Sequence, residues 1–278
     1  ESKSLHFHHT HEGANYLLDH DGFWRLSNYV PSVTFDTCDD LSVVHSAGEA
    51  FGDFQMMLSD FDASCLYYTI PDFHNTRKRY QKLREDMEAD VCGRVAEVRE
   101  ELDWLLSVED TACKLTDLYT EGKLPLRVTH NDTKINNVLF DEATHKALVV
   151  IDLDTVMPSL FVSDYGDFLR TAANTIAEDS PEFEKIDFRM DIFESFTSGY
   201  VESASAFLSP LEISLLPHAA ELFPYMQAVR FLWDYLNGDH YWKCKYPEHN
   251  LVRAQNQWHL FLKAKEHEAE MKAFIEKL

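Results

Sequence analysis

The sequence predicts an α+β fold, with a short β-rich start followed by a long helical part that contains one β-hairpin. The first thirty residues divide into short apolar stretches separated by turn residues, which is typical of strands. From Leu41 onward, apolar residues recur at helical spacing instead. Two short apolar runs, VLF and ALVVID, interrupt the helical patterns and are joined by DEATHK, which predicts a hairpin.

The β-rich start is expected to contain short strands at residues 4–9 and 15–18 and a longer strand over FWRLSNYV, residues 23–30. A turn at residues 20–22 precedes the last strand. Pro31 ends that strand because proline has no backbone N–H to donate.

Helical spacing predicts one long helix over residues 41–61 and a second over residues 83–105, with the irregular segment IPDFHNTR between them. A shorter helix is expected at residues 109–119. After the hairpin, which we expect to be the only further β region, helices resume at residues 187–208.

The C-terminal part opens with SPLE at residues 209–212, which has the form of a capping box with proline at the first helical position. The helix that it begins is expected to end at residues 237–238. Pro217 and Pro224 should kink or split this helix. A last helix is expected from about residue 250 to the C-terminus.

The charge of the chain excludes two classes of partner. Its 48 acidic and 25 basic residues give a formal net charge of −23. Nucleic acids and anionic membrane surfaces are both bound through basic patches, so neither is expected as a partner. Most of the acidic residues are expected to form a solvated surface.

The cysteines indicate a reducing, cytoplasmic compartment. They are odd in number and include no CxxC pair, which argues against a disulfide framework or a zinc site. No apolar run approaches the roughly 20 residues that cross a bilayer, and the N-terminal segment does not have the pattern of a signal peptide. The five cysteines are Cys38, Cys65, Cys92, Cys113 and Cys244.

One group of polar residues has the residue types and spacing of a catalytic site. His130, Asp132, Lys134 and Asn137 form the pattern H-x-D-x-K-x-x-N just before the hairpin, and Asp152 ends the second strand of that hairpin. Phosphoryl transfer needs a carboxylate that orients the attacking hydroxyl and accepts its proton. It also needs an amide and a second carboxylate that hold Mg²⁺ against the phosphates. This spacing supplies all three groups.

We expect Asp132 to reach a substrate hydroxyl, and Asn137 and Asp152 to converge on a cation from either side of the hairpin. Lys134 is expected to contact the transferring phosphoryl group, and His130 to brace the loop backbone. A lone H-x-D pattern would more often be a loop turn held by side-chain hydrogen bonds. The coincidence of all five residue types favours catalysis.

These residues resemble a known superfamily. HNDTKINN with IDLD is similar to the catalytic and metal loops of the aminoglycoside phosphotransferases and choline kinases, which are small-molecule kinases with a protein-kinase-like fold. The longer segments VTHNDTKINNVLFD, VIDLDTVMP, DYGDFLR and RFLWDYLNGDHYWK resemble the N-acetylhexosamine 1-kinases within it. WRLSNYV and IPDFHNTR fit the same family.

The resemblance implies a protein-kinase-like fold with a truncated N-terminal lobe. Residues 1–35 would be a partial N-terminal lobe and hinge, and residues 36–278 a helical C-terminal lobe with the catalytic and metal loops. A complete lobe of this class has a phosphate-covering loop and a strand lysine, and Lys3 is too close to the terminus to replace that lysine. We therefore expect the chain to be a fragment that begins within the lobe; the alternative is an incomplete nucleotide site.

Carried over position by position, the resemblance implies that Asp132 is the general base and that Asn137 and Asp152 are magnesium ligands. It also implies that Arg230 and Tyr241 contact the sugar. Two alternatives remain open for the last pair: an ion pair between Arg230 and the residue four positions later, Asp234, and a purely structural role for Tyr241 in the core.

Further residues have weaker assignments. Asp164 and Asp167 lie near the same site, either contacting substrate or capping the helix over FLRTAAN. His74, in the IPDFHNTR loop, is expected to line the sugar pocket. Asn28 and Tyr29 are expected beside the adenine of ATP.

The function implied is ATP- and Mg²⁺-dependent phosphorylation of the C1 hydroxyl of an N-acetylhexosamine, giving a sugar 1-phosphate and ADP. A kinase for choline, an aminoglycoside or another sugar would use the same loop, and DYGD keeps a cationic acceptor open. A protein kinase is disfavoured because residues 155–164 are too few for an activation segment. A non-catalytic nucleotide- or sugar-binding module would not need the intact set of Asp132, Asn137 and Asp152.

Overall fold

The computed structural model describes residues 4–37 and 39–278, so Lys3 and Cys38 lie outside the described residues. It confirms the α+β class and the asymmetric arrangement of a small β-rich part and a mostly helical remainder. No helix among these residues combines the length and the apolar composition needed to cross a bilayer.

The β-rich start contains four short strands that form two antiparallel pairs. The expected strand over residues 23–30 is divided in two at Arg25, whose side chain leaves the strand to reach Asp154 at 2.8 Å. The strands are β1 (Phe7–His8), β2 (Leu17–Asp19), β3 (Gly22–Trp24) and β4 (Leu26–Ser27), with β1 paired to β4 and β2 to β3.

The remainder combines helices with two further antiparallel strand pairs. The helices are α1 (Leu41–Met57), α2 (Thr76–Ala89), α3 (Arg99–Ser107), α4 (Glu109–Thr120), α5 (Val162–Ala172), α6 (Met190–Ala204), α7 (Pro210–Ser214), α8 (Leu216–Leu236), α9 (His249–Glu266) and α10 (Glu268–Ile275). The strands are β5 (Arg127–Thr129), β6 (Val138–Phe140), β7 (Ala147–Val150) and β8 (Met157–Ser159).

The single helix predicted over residues 83–105 is wrong. The chain leaves α2 at Asp90, which adopts a left-handed conformation with φ of 37°, and turns through Gly93, with φ of 69°, before α3 begins. The Asp90 carboxylate accepts a hydrogen bond from the Val95 backbone, which stabilises this turn. Val91, which the helical pattern placed in the core, is 68% exposed.

The predicted hairpin is confirmed as β6 and β7, but a second strand pair, β5 with β8, was not predicted. Each of its strands has only three residues, and β8 contains Pro158, so neither carries a recognisable alternation. This pair matters for the site because β5 leads directly into the H-x-D loop. The hairpin is also bridged to the segment after β4 through Val33 and Phe140.

The C-terminal helices follow the prediction with two changes. The capping box at Ser209 and Glu212 is confirmed, and the helix splits before Pro217, which lies in the first turn of α8. Pro224 lies inside α8 without ending it. The expected last helix is divided at His267 into α9 and α10.

The helices pack around a continuous apolar core, in which α1 and α6 are in direct contact. A Cβ added at Gly199 of α6 would lie 2.1 Å from the backbone oxygen of His45, and one added at Gly48 of α1 would lie 2.3 Å from that of Phe196. Only glycine allows the two backbones to approach this closely. The pair lies against the H-x-D loop, since Phe51 and Phe54 of α1 contact the ring of His130.

Candidate active site

The loop after β5 is held from behind by a buried carboxylate. Asp164, in the first turn of α5, is fully buried and accepts hydrogen bonds from the backbone N–H groups of His130 at 2.9 Å and Asn131 at 2.8 Å. Gln55 of α1 donates a third bond at 2.7 Å. These bonds are compatible with the left-handed conformation of Asn131, whose φ is 66°.

His130 braces this loop, as predicted. Its ring is fully buried, and Nε2 lies 2.7 Å from the backbone oxygen of Ile151, at the end of the hairpin. The same ring lies edge-on to Phe51 and Phe54. The H-x-D loop and the end of the hairpin are therefore fixed relative to each other.

Asp132 emerges from the braced loop with its carboxylate partly exposed. Oδ1 forms an ion pair with Nζ of Lys134 at 2.7 Å, and the side chains are 30% and 41% exposed, respectively. This exposure leaves the carboxylate accessible to a substrate. The pairing places a positive charge directly beside it.

Asn137 and Asp152 lie at the same end of the hairpin. The Ile151 N–H donates to the Asn137 carbonyl at 2.9 Å, so Asp152 is one residue beyond this bond. The Asn137 amide donates to the Asp132 carbonyl at 2.7 Å, which leaves its side-chain oxygen as the remaining ligand atom. The Asp152 carboxylate is exposed and forms no hydrogen bond or ion pair within residues 4–37 and 39–278. An amide oxygen and a free carboxylate suit a hard cation such as Mg²⁺.

A cavity of about 860 Å³ opens in front of Asp132. It brings together residues from eight separate parts of the sequence, which places the H-x-D loop beside residues about a hundred positions away. The predicted site residues that line it are His74, Asp132, Lys134, Asp167, Arg230 and Tyr241.

Arg230 of α8 is only 9% exposed and is surrounded by aromatic rings. Its guanidinium carbon lies 4.6 Å from the ring centre of Phe73, 5.1 Å from that of Trp242 and 5.9 Å from that of Tyr241. Burial and the neighbouring charge of Arg79 lower its pKa to about 10, so the side chain remains a cation at neutral pH.

The alternative ion pair between Arg230 and Asp234 is not formed. Asp234 instead accepts hydrogen bonds from the backbone N–H groups of His240, Tyr241 and Trp242, at 2.9 to 3.1 Å. It thereby fixes the segment that carries two of the rings around Arg230. Tyr241 is 54% exposed, so it is not a core aromatic.

Asp167 and Arg170 form a buried ion pair at 3.0 Å on the cavity wall. Burial raises the pKa of Asp167, the Arg170 charge opposes this effect, and the nearby Asp132 carboxylate adds to it. Helix capping is wrong as a role for Asp164 and Asp167, because α5 begins earlier, at Val162. Arg170 was not among the predicted site residues, although its position three residues after Asp167 was a signal for the pair.

His74 borders the same cavity as a neutral ring. Its pKa is well below the usual value, because of burial first and the charges of Arg230 and Arg79 second. Nδ1 lies 3.0 Å from the hydroxyl of Ser163. The ring stacks on Phe73, with the ring centres 4.3 Å apart.

Asn28 and Tyr29 lie elsewhere, along a neighbouring cavity of about 610 Å³ between the β-rich start and the hairpin. Asp152 borders this cavity as well, and it does not line the cavity of about 860 Å³. The ion pair between Arg25 and Asp154 spans the same cavity wall.

The cysteines of the described residues are free, as expected. Only Cys113 among them is buried. Cys65 and Cys92 are exposed, and Cys244 is half-buried.

Comparison with known proteins identifies the family and the fold. The model of the family described as the phosphotransferase enzyme family matches residues 5–193. An aminoglycoside phosphotransferase from Alicyclobacillus acidocaldarius subsp. acidocaldarius DSM 446 is 15% identical with a TM-score of 0.66, and the match covers 100% of this chain and 79% of that one.

Two further solved structures share the fold. A choline kinase from Cryptosporidium parvum Iowa II is 14% identical, with a TM-score of 0.55 over 92% of this chain and 74% of that one. Amicoumacin kinase hAmiN, in complex with AMP-PNP, Ca²⁺ and Ami, is 13% identical, with a TM-score of 0.55 over 96% and 72%. The family match and the shared architecture give one conclusion: this chain belongs to the phosphotransferase enzyme family of small-molecule kinases.

Proposed function

We propose that this protein is an ATP- and Mg²⁺-dependent kinase that phosphorylates the C1 hydroxyl of an N-acetylhexosamine, N-acetylglucosamine or N-acetylgalactosamine. The observation that carries the proposal is that Asp132 and the caged Arg230 border one cavity of about 860 Å³. Residues 1–35 are proposed to be part of an N-terminal lobe with the hinge, and residues 36–278 the C-terminal lobe.

In the proposed reaction, the Asp132 carboxylate accepts the proton of the C1 hydroxyl as its oxygen bonds to the γ-phosphorus of ATP. The bond from that phosphorus to the bridging oxygen breaks, and ADP leaves with the electron pair. Lys134, 2.7 Å from Asp132, provides positive charge for the transferring group. Most of the rate enhancement is expected to come from positioning and charge neutralisation. The C1 hydroxyl of a sugar is more acidic than an ordinary alcohol, which eases proton transfer.

Asn137, through its side-chain oxygen, and Asp152 would hold the magnesium ion. When bound, the ion neutralises phosphate charge during transfer. Asn28 and Tyr29 border the adjoining cavity, where we place the adenine of ATP. The complex of amicoumacin kinase hAmiN with AMP-PNP and Ca²⁺ supports a nucleotide and a divalent cation for a protein of this fold.

Arg230 supports a neutral acceptor. Three aromatic rings around one position are an arrangement that binds quaternary ammonium groups such as choline. Here the cage already holds the guanidinium of Arg230, which remains charged. A cationic alcohol would meet this charge, whereas the carbonyl of an N-acetyl group would accept a hydrogen bond from it.

A second candidate function, phosphorylation of a cationic alcohol such as an aminoglycoside, is favoured by one observation. Acidic side chains also border the cavity. Asp36, Asp39 and Glu178 are among them. One oxygen of the Glu178 carboxylate already pairs with Arg170. Less of the negative charge of Glu178 is therefore available to a substrate.

The test is ADP release by the full-length protein with magnesium across a panel of acceptors: N-acetylglucosamine, N-acetylgalactosamine, glucose, galactose, choline and kanamycin. We expect the two N-acetylhexosamines to give the highest kcat/KM. Asp132→Asn should lower kcat by orders of magnitude and leave ATP binding largely intact. A fully active Asp132→Asn variant would exclude the general-base role.

A further inference from the structure

Asp167 borders the cavity of about 860 Å³, which we call the acceptor cavity, with one of its carboxylate oxygens unused. Oδ1 accepts a hydrogen bond from Nε of Arg170 at 3.0 Å. Oδ2 forms no hydrogen bond within residues 4–37 and 39–278, and it is open to the cavity. The side chain as a whole is only 10% exposed. A ligand that donates to this mostly desolvated oxygen would therefore gain binding free energy.

Arg170 holds the Asp167 carboxylate in place. The two residues lie one turn apart on α5, and the guanidinium of Arg170, 6% exposed, also pairs with the Glu178 carboxylate. Burial raises the pKa of Asp167, and the charge of Arg170 opposes this effect. Arg170 thus favours the ionised form of Asp167, which can only accept hydrogen bonds.

The packing of α5 on α8 brings Asp167 close to Arg230. A Cβ added at Gly166 would lie 2.3 Å from the ring of Phe223, so glycine permits the two helices to approach this closely. Phe223 and Arg230 lie on the same helix, about two turns apart. Burial and the charge of Arg79 lower the pKa of Arg230, and the Asp167 carboxylate opposes this effect. Asp167 and Arg230 can therefore contact one substituent of a bound molecule.

The proposed acceptor carries one donor that no residue has yet been assigned to bind. Asp132 accepts the proton of the C1 hydroxyl, and Arg230 donates to the carbonyl of the N-acetyl group. The N–H of that group is attached to C2, beside C1, and a trans amide directs its N–H and its C=O to opposite sides. An acceptor for the N–H is therefore needed on an element other than α8. Asp167, on α5, provides one.

We propose that Asp167 is a specificity-determining residue whose Oδ2 accepts the N–H of the acetamido group, and that Arg170 is the positioning residue that holds this carboxylate. The inference rests on the proposed function, because this N–H is a feature of the N-acetylhexosamines. The acetamido group is then recognised at both ends, its C=O by α8 and its N–H by α5. A site built in this way disfavours analogues that lack one of the two groups.

The matched ligand is 2-O-acetylglucose, which keeps the carbonyl and replaces the N–H by an ester oxygen. Calorimetric titration of the full-length protein, with AMP-PNP and magnesium present, measures both dissociation constants without turnover. We expect N-acetylglucosamine to bind about tenfold to a hundredfold more tightly. Similar dissociation constants for the two sugars would overturn the inference and leave the proposed function standing. Absence of N-acetylglucosamine binding would overturn the proposed function and the inference with it.

Asp167→Asn tests which residue accepts the N–H, in a side chain of the same shape. Its amide oxygen would face Arg170 and its NH₂ group the cavity, so a donor would meet the N–H of the sugar. The two dissociation constants should then agree within about threefold. Asp103→Asn on α3, at a side chain 68% exposed, is the control and should keep the wild-type ratio. An undiminished ratio in Asp167→Asn would assign the N–H to another residue and overturn the inference.

Arg170→Lys tests the positioning role, because lysine keeps the charge but loses the planar group that pairs with two carboxylates. The affinity for N-acetylglucosamine should fall by about fivefold or more, whereas that for 2-O-acetylglucose should change by less than about twofold. The ester lacks the N–H that Asp167 would accept, so it is insensitive to the orientation of this carboxylate. Equal weakening of both sugars would indicate a purely structural role for Arg170 and refute its assignment.

Discussion

Oδ1 of Asp164 accepts a hydrogen bond from the backbone N–H of Asn131 at 2.8 Å, and this bond ties α5 to the residue immediately before Asp132. Its other oxygen accepts from the N–H of His130 at 2.9 Å. Burial raises the pKa of Asp164, and the His130 ring and these backbone bonds oppose the shift. Asp164 therefore acts on the site as a positioning residue, through the loop backbone.

Asp164→Asn should lower kcat by about tenfold to a hundredfold, because the amide NH₂ replaces one of the two acceptor oxygens and faces a backbone donor. KM for ATP should change little, since Asp164 lines neither cavity. Asp103→Asn on α3 is the control, because that side chain is 68% exposed. Unchanged steady-state kinetics in Asp164→Asn would show that the brace does not position Asp132.

Arg230→Lys should raise KM for the acceptor by roughly tenfold or more, since lysine keeps the charge but loses the planar donor group that fits between the rings. KM for ATP should remain near the wild-type value. Arg253→Lys is the matched control. The Arg253 guanidinium lies 5.5 Å from the Phe231 ring centre, and Arg253 does not line the cavity of about 860 Å³. An equal change in both variants would indicate general loss of packing instead of lost substrate contact.

Glu221 predicts a pH dependence of stability. Burial raises its pKa to about 7, so the folded state binds a proton more tightly than the unfolded state. The stability that this protonation contributes is fully present below pH 4.5 and is lost as the pH rises through 7. Glu221→Gln should therefore gain stability relative to wild type between pH 5 and pH 8, by roughly 1–3 kcal/mol.

Urea unfolding at the two pH values measures this difference. Glu266→Gln is the control, because Glu266 is 61% exposed and pairs with Lys263 on the surface of α9. A stability difference between Glu221→Gln and wild type that does not depend on pH would refute the assignment of a raised pKa.

Gly199→Ala tests the contact between α1 and α6. The new methyl group would lie 2.1 Å from the backbone oxygen of His45, so the helices must separate. We expect a loss of about 2–4 kcal/mol in the free energy of unfolding, within the range for overpacked cores and backbone clashes. Glu202→Ala, at a side chain 63% exposed on the same helix, should cost less than about 0.5 kcal/mol.

The sequence predicted the H-x-D loop and the hairpin that follows it because their residues are local. Asp132, Lys134 and Asn137 follow one spacing, and the hairpin that brings Asp152 close has clear apolar strands. The spacing of the sequence could not predict which residues hold this loop in place. Asp164 and Gln55 come from separate helices, and only packing brings the Asp164 carboxylate to the His130 backbone and Gln55 to that carboxylate.

Elements with a long apolar periodicity were predicted correctly. Elements whose bounds or existence depend on a few residues were missed. The break between α2 and α3 depends on two residues with positive φ, Asp90 and Gly93, and on one side-chain hydrogen bond. Strands β5 and β8 are three residues each and depend on mutual pairing. The cage around Arg230 requires Phe73 from the loop between α1 and α2, which no local pattern connects to α8.

The central claim is tested most directly by identifying the phosphorylated atom. The full-length protein is incubated with ATP, magnesium and N-acetylglucosamine, and the product is examined by ³¹P and ¹³C NMR, with 1-deoxy-N-acetylglucosamine as the matched acceptor that lacks the C1 hydroxyl. We predict phosphorus coupled to C1 in the first product and no turnover of the 1-deoxy compound. Phosphorylation of the 1-deoxy compound, or turnover of choline or kanamycin with no turnover of any sugar, would contradict the assignment.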